Sequence, residues 1–73
     1  MNKYAVPVYD DNTGDVWIET IVARGLNEAK DKLISDFVSK YDLDFPDDWD
    51  DFVYHKANYV GVHIGEVEDI EEL

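Results

Sequence analysis

Tyr4-Ala5-Val6-Pro7-Val8-Tyr9 places Tyr4, Val6 and Val8 in one phase of a period-2 alternation, the pattern of a strand with one buried face. Pro7 has no N–H for a ladder, which predicts an edge strand or an outward turn at that position. Asp10-Asp11-Asn12-Thr13-Gly14-Asp15 concentrates turn formers, and alternation resumes with Val16, Ile18, Thr20 and Val22 in phase, so the first two strands form a hairpin. After Arg24-Gly25 the period changes to 3.6. Asn27 is the expected N-cap and Glu28 suits the positive end of the helix dipole. A helix over 27–41 gathers Leu26, Ala29, Leu33, Ile34, Phe37, Val38 and Tyr41 on one side. Glu28 with Lys32 and Asp36 with Lys40 are acid-before-base pairs one turn apart.

Asp42-Leu43-Asp44-Phe45-Pro46 breaks this helix, and Pro46 suits the first position of another helical turn. Across 47–53, a helical wheel sets Asp47, Asp48, Asp50 and Asp51 against Trp49, Phe52 and Val53, which predicts a short amphipathic helix. Residues 59–65 read as a third strand with Val60, Val62 and Ile64 facing in. The order β-β-α-α-β predicts an α+β domain of two layers over residues 1–65, followed by an acidic tail over 66–73. Its three-stranded antiparallel sheet carries one long helix and one short acidic helix on one face. Three strands leave two edges, near Tyr4–Tyr9 and Tyr59–Ile64, protected by Pro7 and charge or else used to pair with a second copy.

Composition narrows the function classes. Eighteen Asp and Glu against six Lys and Arg give a formal charge of −12, which opposes direct binding to nucleic acid through phosphate neutralisation. Hydrophobic residues make up 45% of the chain, enough for a packed core and too many for a disordered acidic tail. There is no cysteine, hence no disulfide framework, thiolate metal site or thiol nucleophile. No apolar run reaches membrane-spanning length and Met1-Asn2-Lys3 leads straight into alternation, so the expectation is a cytoplasmic protein without membrane association.

Site chemistry is sparse. The Asp10–Asp15 loop is rich in carboxylates, but Gly14 stands fifth and Asp15 sixth from Asp10, out of step with a calcium loop that needs glycine sixth and glutamate twelfth. His55 and His63 have no partners at ligand spacing, and His63, alternating with Val62 and Ile64, is expected on the outer face of the sheet. Ser35 and Ser39 lie on the polar side of a helix, and no glycine-rich phosphate loop is present. Neither a catalytic constellation nor a cofactor is expected.

The acids themselves are unevenly spread. Asp42, Asp44, Asp47, Asp48, Asp50 and Asp51 form one cluster; Glu66, Glu68, Asp69, Glu71 and Glu72 form another; the stretch 52–65 between them has none. One reading is solvated surface that keeps a small protein dispersed. The other is a set of carboxylates that stand in for phosphates and occupy the basic surface of a nucleic-acid-binding protein. Asp has low helix propensity, so its concentration in 47–51 is a locally unfavourable choice of the kind that marks a functional segment.

Val22-Ala23-Arg24-Gly25-Leu26-Asn27-Glu28-Ala29-Lys30, following the hairpin, resembles the strand, short loop and Glu-Ala helix of many small phage- and plasmid-encoded proteins. In size and acidity the chain is similar to the DNA-mimic inhibitors that phages direct at host restriction, repair or CRISPR nucleases. That resemblance implies a non-enzymatic inhibitor of the anti-restriction or anti-CRISPR kind.

Overall fold

The turn sets the first pairing. Gly14 takes φ +77°, a left-handed conformation that costs glycine nothing, and its N–H donates to the Asp10 carbonyl at 2.8 Å. The Asp10 carboxylate accepts from the Asn12 N–H at 2.9 Å and so closes the turn from inside. Strands β1 (Asn2–Asp10) and β2 (Asp15–Ala23) then pair antiparallel without interruption, from Asp10↔Asp15 to Asn2↔Ala23. The computed structural model describes residues 1–73, and its architecture is α+β: an antiparallel sheet beneath a helical layer.

On its other side β1 meets two short strands in succession. β3 (Val62–Ile64) pairs with Val8–Asp10, and β4 (Glu68–Glu72) pairs with Asn2–Ala5, both antiparallel. The sheet therefore has four strands but is three wide at either end, and β1 is its centre rather than an edge. Pro7 explains the break between β3 and β4. Its carbonyl accepts from the Gly65 N–H at 2.9 Å, so its missing N–H also faces that flank, and no ladder bond can form there. Val6 consequently stands against two residues, 66 and 67, and a further irregularity falls between Lys3 and Tyr4.

The expected free tail over 66–73 is corrected: Glu68–Glu72 is a strand, because β1 needs partners for its second row of backbone groups. The expected edges change with it. β2 is one edge, and β3 with β4 forms the other.

Tyr4, Val6 and Val8 are buried as the alternation predicts. In β2 the phase is reversed. Trp17, Glu19 and Ile21 turn toward the helices with Ala23 fully buried, while Val16, Ile18, Thr20 and Val22 face solvent. Glu19 tolerates this inner series because its carboxylate accepts from Trp17 Nε1 at 2.8 Å.

Helix α1 (Leu26–Tyr41) buries Ala29, Leu33, Ile34 and Phe37 on the sheet. Gly25 rather than Asn27 is its N-cap residue, and the Gly25 carbonyl accepts from the Ala29 N–H at 3.0 Å. Asp42 closes it in a left-handed conformation, φ +53°. A second helical segment follows in three continuous parts: α2 (Trp49–Asp51), a π-helical stretch Phe52–Lys56, and α3 (Ala57–Tyr59). The expected strand start at 59 is thus replaced by helix, and extended structure begins only after Gly61, φ +78°.

Phe52, at 0% exposure, fixes this segment by packing 5.7 Å from Phe37, centroid to centroid, beside Val6, Val8, Leu33 and Val62. Full burial of a side chain of this kind contributes about 1.5–3 kcal/mol. No helix is long and apolar enough to cross a membrane.

Candidate protein-binding surface

The acids of the second helical segment occupy the positions where a helix start favours them. Asp48 is the N-cap: its Oδ1 accepts from the Asp51 N–H at 2.8 Å. Asp51 reciprocates one residue further out, its Oδ2 accepting from the Asp47 N–H at 2.9 Å. Asp50 and Asp51 lie in the first turn, at the positive end of the dipole. Low propensity in a helix interior is therefore no sign of function here, which corrects that sequence-based argument; two of the four carboxylates are caps.

The second cluster rests on the sheet. Glu68, Asp69, Glu71 and Glu72 belong to β4, and all four side chains are exposed, as is Glu66 just before the strand. Asp69 accepts from Asn2 Nδ2 at 2.6 Å, and the Leu73 N–H donates to the Met1 carbonyl at 2.8 Å, so the strand is fastened at its far end. Side chains alternate between the faces of a strand, so Glu68 and Glu71 stand beside Ala5 and Lys3 on the outer face, and Asp69 and Glu72 beside Tyr4 and Asn2 on the other, all four on fixed backbone.

The structure divides the eleven acids. Asp42 and Asp44 lie beyond the C-terminal end of α1, where they line a cleft of about 600 Å³ with Tyr54, His55, Lys56 and Tyr59. Asp47–Asp51 sit at the start of the second helical segment, whose Trp49 ring is 5.5 Å from Lys30 Nζ in the first half of α1. That segment continues into α3, which packs on β3, while α2, which carries Asp50 and Asp51, packs on α1.

None of the eleven acids has a basic partner within 4.0 Å; the ion pair of the fold is Lys32 with Glu28 at 3.2 Å, and His63 Nε2 stands 3.3 Å from an Asp11 carboxylate oxygen. The pairing expected for Asp36 and Lys40 gives way to a cation–π contact, with Lys40 Nζ 4.8 Å from the Trp17 ring. These carboxylates make no close ion pair within the fold, the nearest cations by position being Lys3, opposite Glu71 in the β1–β4 ladder, and Lys56, in the cleft with Asp42 and Asp44.

Other polar groups cluster on the outer face of the sheet. His63 points outward as expected, stacks on Tyr9 with centroids 5.7 Å apart, and meets Asp11. A hydrogen bond to Asp11, followed by that carboxylate's charge, raises the Tyr9 phenol above its ordinary value. Tyr41 is raised too, first by burial and then by Asp10 and Glu19.

Sequence reasoning did not single out the exposed pair Tyr54 and Tyr59, 67% and 92% accessible, which the π-helical stretch and α3 turn outward. The signal for them was the acid-free stretch itself, where aromatic and basic residues stand at solvent-facing helical positions. Comparison with protein-family models, curated proteins and solved structures returns no match to this chain.

Proposed function

We propose that this chain is a non-enzymatic protein-binding module whose acidic edge occupies the basic nucleic-acid-binding surface of another protein, in the manner of a DNA-mimic inhibitor of the anti-restriction or anti-CRISPR kind. The observation that carries the reading is the carboxylate row of β4, without a close ion pair and held on paired backbone, in a chain of net charge −12. Charges fixed before binding lose little conformational entropy on contact, and their field steers association with a basic groove. Glu66, exposed just before β4, extends the row, and Asp50, exposed at the start of the second helical segment, likewise has no structural hydrogen bond, whereas Asp48, Asp51 and Asp69 also serve the fold.

The test is capture from a bacterial lysate at low and high salt, with the chain and with a variant carrying Glu68→Gln, Glu71→Gln and Glu72→Gln. These side chains are exposed, so the substitutions remove charge and leave packing intact. The reading expects a nucleic-acid-binding protein, released by salt and by competing DNA, and lost with the variant. Capture that resists salt and survives the three substitutions overturns it.

A further inference from the structure

The direction of the backbone along β2 follows from β1. The Pro7 carbonyl accepts from the Gly65 N–H at 2.9 Å and so points away from β2, which makes Pro7↔Ile18 a pair without mutual hydrogen bonds. Ile18 therefore turns its own N–H and C=O to the open side of the sheet, and alternation does the same for Val16, Thr20 and Val22. The Val22 carbonyl is in this phase, since it accepts from Lys32 Nζ at 2.9 Å. Val16, Ile18 and Thr20 together present a row of N–H and C=O groups that no strand of the sheet meets.

The two edges of the sheet are built differently. The β3–β4 side is made of short strands, interrupted at Pro7 and lined with carboxylates, the devices that discourage strand addition. β2 runs nine residues in unbroken register without proline, and its outward side chains Val16, Ile18 and Thr20 are uncharged.

Charge along this edge lies on the helix side. Ile21 shares a hollow of about 300 Å³ with Glu28, Asp31 and Asp36 of α1, where the one cation, Lys32, is held by Glu28 at 3.2 Å and by the Val22 carbonyl. Toward the hairpin turn, Asp10, Asp15 and Glu19 line a second hollow with Lys40, which lies over the Trp17 ring. Acids outnumber cations in both hollows, and both cations are already engaged.

We infer that the open edge of β2 takes an added antiparallel strand from a basic partner protein, with apolar side chains beside Val16, Ile18 and Thr20 on the outer face and Lys or Arg alternating with them on the helix side. Backbone groups supply affinity in this mode, and the alternate side chains supply selection. Such a strand bonds the whole free row when its own hydrogen-bonding residues stand opposite Val16, Ile18 and Thr20. Its intervening residues then fall opposite Asp15, Trp17, Glu19 and Ile21, on the side where the acids lie. A second copy of this chain is the wrong occupant, because β2 against β2 brings the acids of both chains, each of net charge −12, to one seam. The inference is independent of the acidic row on β4, which lies at the opposite edge of the sheet.

The probe is a capped seven-residue peptide with Val at its second, fourth and sixth positions, Lys at its first, third and seventh, and Thr at its fifth, titrated into the isotope-labelled chain. The expectation is shifted and more slowly exchanging amides at Val16, Ile18 and Thr20, while Trp17, Glu19 and Ile21, already bonded to β1, keep their exchange rates. Glu in place of Lys, or N-methylation of the three valines, should each weaken binding at least about tenfold. Asp31→Asn with Asp36→Asn should weaken it about threefold, whereas Glu68→Gln with Glu71→Gln and Glu72→Gln should leave it unchanged. Shifts confined to β4 or to the helices, binding indifferent to N-methylation, or a chain that by itself sediments above 8.5 kDa with those three amides protected each overturn the inference.

Discussion

Gly65→Ala isolates the contact that breaks the sheet edge in two. A Cβ at this position would stand 2.5 Å from Pro7 Cγ and 3.2 Å from Pro7 Cδ, against about 3.5–4.0 Å for an ordinary carbon–carbon contact. The ring is closed onto the backbone nitrogen and cannot rotate away, and the Gly65 N–H is tied to the Pro7 carbonyl at 2.9 Å. The strain resembles overpacking and should cost about 1–3 kcal/mol, a lowering of the thermal midpoint by about 4–8 °C per kcal/mol in a domain of this size.

In a Pro7→Ala background the obstructing ring is gone, so the same substitution should be nearly neutral. The coupling energy from urea denaturation of the four proteins should reach about 1–2 kcal/mol. Gly25→Ala serves as a control, because nothing lies within 4 Å of its added Cβ and its backbone is extended. Additivity of the two substitutions within about 0.5 kcal/mol would refute the argument that Pro7 dictates glycine at 65.

Phe52→Ala removes the fully buried ring that joins the second helical segment to the sheet and should cost about 3–5 kcal/mol by calorimetry, whereas Trp49→Ala, at a half-buried site, should cost less. Asp48→Ala should lose about 1 kcal/mol as a missing cap while Asp48→Asn loses little, measured by chemical denaturation. Tyr9 and Tyr41 have phenols raised above 10.0, so the unfolded chain releases these protons first as pH rises. Stability should therefore be flat in this respect at neutral pH and fall as pH climbs through and above that value. Ultraviolet titration should find two late-ionising tyrosines, and Asp11→Asn should bring Tyr9 back toward 10.0.

What was legible in the chain, and what was not, follows from the forces involved. Tyr4, Val6, Val8 and the 3.6-residue series of α1 were readable because their apolar positions face only one way. β2 was misphased because both of its series are largely apolar, Val16-Ile18-Val22 outside and Trp17-Ile21 inside, and period 2 alone cannot choose between them. Nothing local in Glu68-Asp69-Ile70-Glu71-Glu72 suggests a strand. It becomes one because β1 has unpaired backbone along that flank, a tertiary demand that overrides weak propensity. The acids of 47–51 were visible as a cluster, but their capping bonds depend on where the helix begins, which composition does not specify.

The central position of β1 also sets an order of assembly. Its pairing with β2 closes a loop of four residues, whereas β3 and β4 close on it only across some fifty, at an entropic disadvantage of about 2 kcal/mol. The hairpin is thus the early half of the sheet and the acid-bearing edge the late half, the segment whose amides should exchange with solvent soonest. A partner that grips β4 recognises only chains in which this last closure has occurred. Its binding energy would then hold the edge shut, coupling occupancy of the surface to completion of the fold, so that amide exchange in 68–72 should slow as the partner is titrated in.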